Sequence, residues 1–230
     1  MVLLFHGKIK KSKSRRVLMK YEWRKLEKEL YLPKKPTVIE VPTYQFISLS
    51  GSGNPNRPEF SEEIAALYTI SYSLRMGLKK GAFGNEPFEY TVFPLEGVWT
   101  SLTKPDGAVN KEELIYKIMI RQPEPVTETL FQEQLLAVKE KKDNPNLEKL
   151  IFERYEEGLC LQAMHTGSFD TEAETFAKMK ELLKQEQLVI RTTMDTFQHR
   201  EIYLSDPRKV SPDKAKTVLR WAVEAEGGIQ

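Results

Sequence analysis

One pattern constrains this chain more than any other: the order strand, helix, strand, strand is written into it twice. The first copy opens with Val38 to Ser50, rich in β-branched and aromatic residues, and leaves it through Gly51-Ser-Gly53 with Pro55 and Pro58. Ser61 caps a helix in which Ile64, Leu67, Tyr68, Ser71 and Leu74 recur at helical spacing, closing near Gly77 and Gly81. Phe88 to Phe93 and Leu114 to Arg121 read as two strands, joined by Pro94-Leu-Glu-Gly-Val-Trp99 and a polar loop through Pro105-Asp-Gly107. Breaks at Pro123-Glu-Pro125 and Asn144-Pro145 bracket a helical linker, Val126 to Lys142. The order then returns. Leu159 to His165 alternates and ends at Gly167, and Thr171 to Gln187 is a helix with Ala173, Phe176, Met179, Leu182 and Leu183 on one face. His199 to Leu204 and Lys216 to Val223 are the paired strands that follow.

The duplication predicts an α+β fold of two β-α-β-β units with antiparallel sheets, related by a pseudo-two-fold, with a central cleft between them. Such junctions are a favoured place for small molecules. The expected boundaries are 36–123 and 150–225 for the halves and 124–149 for the linker, all inside one domain of 19–230. Lys20 to Tyr31, with Trp23, Leu26 and Leu30, reads as a short amphipathic helix stopped by Pro33 and Pro36. Residues 1–18 carry Lys8, Lys10, Lys11, Lys13, Arg15 and Arg16 with few apolar partners, and read as a disordered basic tail.

Composition narrows the function classes. With 230 residues, 40% of them hydrophobic, the chain can bury a core without staples. A formal charge of +2 gives no field that would favour nucleic acid or a membrane, and no helix-turn-helix fits before Pro36, so a nucleic-acid partner is unlikely. No apolar run approaches the roughly 20 residues of a membrane span, and Val2 to Phe5 is too short for a signal-peptide core. A cytoplasmic protein without a membrane partner is expected. The single cysteine, Cys160, excludes an internal disulfide and reads as a buried small hydrophobe, while His6, His165 and His199 show no zinc spacing. Gly51-Ser-Gly53 lacks the lysine-serine ending of a phosphate loop. No metal and no cofactor is expected, and the oligomeric state is left open.

The candidate chemistry centres on His199-Arg-Glu-Ile-Tyr-Leu204, ended by Pro207. Strand parity puts His199, Glu201 and Tyr203 on one face and Ile202 and Leu204 on the other. With the apolar pair on the core, Glu201 faces whatever covers the open side. In a pocket it is a candidate for holding a cation or taking a proton, because partial desolvation raises a carboxylate's pKa toward neutrality.

Several pieces of the chain resemble the GyrI-like small-molecule-binding proteins, in particular the stand-alone subgroup without a DNA-binding domain. They are Met19-Lys-Tyr-Glu-Trp23, Pro94-Leu-Glu-Gly97 with Trp99, Glu157-Gly-Leu-Cys160 with Gln162, His165 and Gly167, Glu201-Ile-Tyr-Leu-Ser-Asp-Pro-Arg208, and Lys216-Thr-Val-Leu-Arg220. Residues 1–18 have no counterpart. The resemblance implies a duplicated fold whose central cleft holds a ligand, with an acid at Glu201 and aromatic rings around it. Members of that fold sense hydrophobic cations and drugs, inhibit gyrase, or hydrolyse cyclopropane-bearing DNA-alkylating toxins in an aromatic cage.

The expected site is therefore Glu201 as acid or base, Glu96 as a second acid in the mirrored half, and Tyr68, Trp99, Tyr203 and Trp221 as walls for a small hydrophobic or aromatic ligand. His165 is a further candidate at the rim. Flat rings suit a planar or cationic ligand, each contributing roughly 0.5 to 2 kcal/mol beyond burial. Three readings share this site or surface: a hydrolase opening a planar electrophilic toxin, a protein that sequesters aromatic cationic drugs, and a gyrase-inhibitor-like partner of another protein.

Overall fold

The structure, a computed structural model, describes residues 20–84, 86–102, 110–206 and 209–227. Two single helical turns, α1 (Trp23–Leu26) and α2 (Lys28–Tyr31), precede β1 (Thr37–Val41), β2 (Tyr44–Ser52), α3 (Pro58–Lys80), β3 (Leu95–Ser101) and β4 (Leu114–Gln122). The linker helix α4 (Glu128–Lys139) leads to β5 (Ile151–Tyr155), β6 (Gly158–Thr166), α5 (Glu172–Gln185), β7 (Leu188–Arg191), β8 (His199–Tyr203) and β9 (Lys216–Ala225).

The two sheets expected from the repeat are fused edge to edge. The nine strands form one antiparallel sheet in the order β1-β6-β9-β8-β3-β4-β2-β5, with β7 alongside β9. The fusion seam is the β3–β8 pair, and its register is symmetric about Gly97 and Glu201: Leu95 faces Tyr203 and Trp99 faces His199. Moving outward, Gly97 faces Ile118 and Glu201 faces Leu219. A half-turn about the seam thus exchanges β3 with β8, β4 with β9 and β2 with β6. The leading strands are exchanged: β1 edges β6 in the second half, and β5 edges β2 in the first.

Ser61 does not cap α3, which starts a turn earlier at Pro58 with Arg57 at its N-cap, and three expectations for the strands change. Val38 to Ser50 is two strands, because Pro42 has no N–H to continue a ladder and the chain crosses there from one half to the other. Phe88 to Phe93 is not a strand. It touches the N-terminal segment through one bridge, Tyr21 to Tyr90, and buries Tyr90 and Phe93. The strand is the next segment, which had read as a turn. Gly97 sits inside it because the Trp99 indole lies over the position where a Cβ would be, 2.7 Å from Nε1.

The three longer helices, α3, α4 and α5, cover one face. On α3, Leu67, Ile70 and Leu74 are fully buried in one cluster with Ile47, Leu49, Ile118 and Ile120. On α5, Met179 and Leu183, with Phe176, pack on Leu161, Ala163, Leu219 and Trp221, as the spacing predicts. Burying each such side chain stabilises the fold by roughly 1.5–3 kcal/mol. Pro58 at the first turn and Gly81 with φ 64° at the C-cap fix the ends of α3. The opposite face carries Arg200, Ile202, Glu96, Val98 and Phe46; Met194 and Phe197, from the turn between β7 and β8, pack on Phe46, Val98 and Met119. The expected basic tail, residues 1–18, lies outside the described residues. Among those described, no helix is long and apolar enough to cross a membrane.

Candidate ligand site around Glu201

Alternation along β8 sends Arg200 and Ile202 to one face and His199, Glu201 and Tyr203 to the helix-covered face. There, α3 packs mainly on β2 and β4, and α5 on β6 and β7, so the central pair β3 and β8 runs between the two helices. Gly97, Trp99, His199, Glu201 and Tyr203 floor that space. Both faces of β8 are covered: Arg200 is 1% exposed, Glu201 8% and Ile202 1%.

The polar groups form a chain across the seam. Trp99 Nε1–H donates to Tyr203 Oη at 2.9 Å, and the Tyr203 hydroxyl is hydrogen bonded to the Glu201 carboxylate. His199 Nε2 lies 2.9 Å from Glu201 Oε1. An ionised carboxylate only accepts, so Nε2 carries the proton in that contact. Burial, then the Glu201 carboxylate and the hydrogen bond to it, push the Tyr203 hydroxyl well above its ordinary range, against the indole's weaker pull downward. Tyr203 therefore stays protonated at neutral pH and serves as a donor. Among the described residues, no lysine or arginine is paired with Glu201.

Rings enclose this chain from both halves. Trp99 packs against Tyr116 at 5.2 Å and Phe60 at 6.0 Å between centroids. The Tyr116 ring lies over Gly51, where a Cβ would come within 2.5 Å of it, and its hydroxyl donates to Glu63 at 2.7 Å. From the second half, Phe169 stands edge-on to Tyr203 at 6.0 Å and Phe176 edge-on to His199 at 5.6 Å. Phe176 also stacks on Trp221 at 5.1 Å, with 17° between the planes.

Of the residues named from sequence, Glu201, Tyr203 and Trp99 come together. Trp221 lies on the same face, one ring further out behind Phe176. Tyr68 is on α3, half-buried and stacked on the exposed Tyr72 at 6.0 Å; the α3 ring that reaches Trp99 is Phe60. His165 does not face the seam. Its Nδ1 accepts from Thr175 Oγ1 at 2.9 Å and its Nε2 meets Ser168 O at 3.0 Å, so both nitrogens hold the turn from β6 into α5. Glu96 is on the opposite face, where it accepts from Arg200 Nη1 at 2.8 Å. The residue equivalent to Glu201 in the first half is Gly97, and Glu96 is the equivalent of Arg200. Cys160 is fully buried, and burial, then the neighbouring Glu157, push its thiol up to about 12, which leaves it inert.

His199 was absent from the expected site, although its parity with Glu201 was readable. Phe60, Tyr116 and Phe169 carried no signal, since each reaches the seam from a different element. A surface hollow of about 520 Å3 between Tyr21, Glu27, Tyr44 and Arg121 lies on the opposite face, away from Glu201.

The sequence profile of the GyrI-like small molecule binding domain matches residues 34–224. An uncharacterized conserved protein from Listeria innocua is 36% identical, with a TM-score of 0.80 over 89% of this chain and 100% of that one. Two Listeria innocua proteins described as hydrolases are 34% and 33% identical, each with a TM-score of 0.76, over 89% and 90% of this chain and 100% of theirs. No curated protein matches the chain.

Proposed function

The chain belongs to the GyrI-like small molecule binding domain family, and from that premise we propose that it hydrolyses planar electrophilic toxins at Glu201, within the rings of the two halves. The observation that carries this reading is the state of Glu201: buried, held by the donors His199 and Tyr203, and unpaired with any described lysine or arginine. A carboxylate tied to a guanidinium has its charge spent, whereas this one is oriented and remains a base. For a strained cyclopropane conjugated to a carbonyl, Glu201 takes a proton from water as the water oxygen bonds to a ring carbon. The ring C–C bond breaks, its electron pair passes to the carbonyl oxygen, and that oxygen is protonated. The rings hold the flat substrate in line, so positioning supplies part of the rate. The likeness to two proteins described as hydrolases supports this class of reaction.

The same buried charge among rings favours a second reading, in which the protein sequesters a hydrophobic aromatic cation. Turnover separates the two. With a spirocyclopropyl dienone in excess, wild-type protein is expected to release many products per chain. Glu201→Gln is expected to lose roughly two to four orders of magnitude in rate, the usual worth of a general base, with its melting temperature kept. Full activity in Glu201→Gln would end the hydrolytic reading. Capture without turnover, with affinity for an aromatic monocation falling in Glu201→Gln, would establish sequestration.

A further inference from the structure

We propose that His199 is a positioning residue, the fixed donor that sets the direction of the Glu201 carboxylate. The inference deepens the reading of Glu201 given above and rests on it for its catalytic consequence. Its geometric basis is separate. His199 and Glu201 are two residues apart on β8, so both side chains rise from the same face, and Nε2 meets Oε1 at 2.9 Å. The ring is itself held: Phe176 of α5 stands at 81° to it, 5.6 Å away, and Phe176 is in turn stacked on Trp221. Glu201 is thus gripped from one side through the second half's helix and from the other through Tyr203 and the first half's Trp99. A carboxylate on a bare two-carbon stem turns freely about its last torsion, which is broad. Two donors remove that freedom and leave the remaining lone pairs aimed in one direction.

The pseudo-symmetry sharpens the assignment. The equivalent of His199 in the first half is Leu95, and the equivalent of Glu201 is Gly97. Neither the imidazole nor the carboxylate is repeated, so the donor and the acid occur as one pair on one strand. A ring nitrogen serving only the fold, like those of His165, would be tied to backbone or hydroxyl groups of its own turn.

Two measurements test this on the full chain. Ring nitrogen NMR is tractable with three histidines. His199 is expected as the Nε2–H tautomer with slowed exchange of that proton, and Glu201→Leu is expected to speed the exchange. A proton resident on Nδ1, or exchange indifferent to Glu201→Leu, overturns the proposal. In turnover of a spirocyclopropyl dienone, His199→Phe is expected to lower kcat by roughly 10- to 100-fold, the cost of a misplaced catalytic group, with KM within about threefold. His199→Gln, which keeps an N–H at similar reach, is expected to restore most of it. Equal damage in His199→Gln and His199→Phe, or none in either, also overturns it. A wild-type protein without turnover ends the hydrolytic reading instead, and the ring nitrogen spectrum still decides whether His199 is the donor.

Discussion

Gly97 and Glu201 face each other across the seam as equivalent residues of the two halves, and the difference between them makes one site where the fold offers two. Without a side chain at 97, the Trp99 indole lies flat on β3 and reaches the Tyr203 hydroxyl. A Cβ there would stand 2.7 Å from Trp99 Nε1 and 3.2 Å from Tyr203 Oη, so one of them has to move. Gly97→Ala is therefore expected to cost about 1–3 kcal/mol in urea denaturation, as overpacking does. It should also shift the Trp99 indole N–H resonance as its bond to Tyr203 breaks. Unchanged stability together with an unchanged resonance would show that the glycine is incidental. At this scale the sequence was informative where parity alone decides: His199, Glu201 and Tyr203 share a face because they alternate. It misled at Glu96, whose place in the mirrored half suggested a partner acid. Register decides that question, and register depends on a strand 100 residues away.

At the scale of elements, the long periodic segments were legible and the short or punctuated ones were not. The face of α5 was readable because Phe176, Met179 and Leu183 recur at helical spacing with nothing to compete. Strand β3 was misread because Pro94 and Gly97 carry turn chemistry, and only the indole above Gly97 explains why a strand tolerates it. The division of β1 from β2 was equally hidden, since their pairing partners belong to opposite halves. The α5 face also supplies a prediction. Phe176 is half-buried and bridges the helix to the seam, stacking on Trp221 while it orients His199. Phe176→Ala is expected to cost about 1–3 kcal/mol, below the loss for a fully buried aromatic. Trp221 emission should shift to the red as water reaches the indole. A stability loss without that shift would mean that Phe176 supports the helix and not the seam.

Across the whole molecule, the halves are tied on the reverse side of the sheet by a buried ionic cluster that no local pattern announced. Arg200 of β8 donates Nη1 to Glu96 of β3 at 2.8 Å and Nε to Glu157 at 2.9 Å. Arg220 of β9 donates to the other Glu157 oxygen at 3.0 Å and to Gln162 Oε1 at 2.8 Å. All four charged groups are at most 4% exposed. Charges so deeply buried contribute little net stability as a set, but removing one leaves its partners uncompensated. Burial would push the Glu157 carboxyl up; the guanidinium groups of Arg200 and Arg220 outweigh it and hold the carboxyl below its ordinary value. A depressed folded-state pKa means that the contribution is complete above the unfolded value of about 4.3 and is lost as pH falls through the folded one. Glu157→Gln is accordingly expected to lose about 3–5 kcal/mol at pH 7, the cost of breaking a buried pair. Its deficit relative to wild type should hold constant down to about pH 4.5 and shrink below that, as wild-type Glu157 takes up its proton. Urea denaturation of both proteins between pH 7 and pH 3 measures the difference with the other carboxylates cancelled. A deficit that is absent at pH 7, or that grows as the solution is acidified, would show that the Glu157 ion pairs do not stabilise the fold.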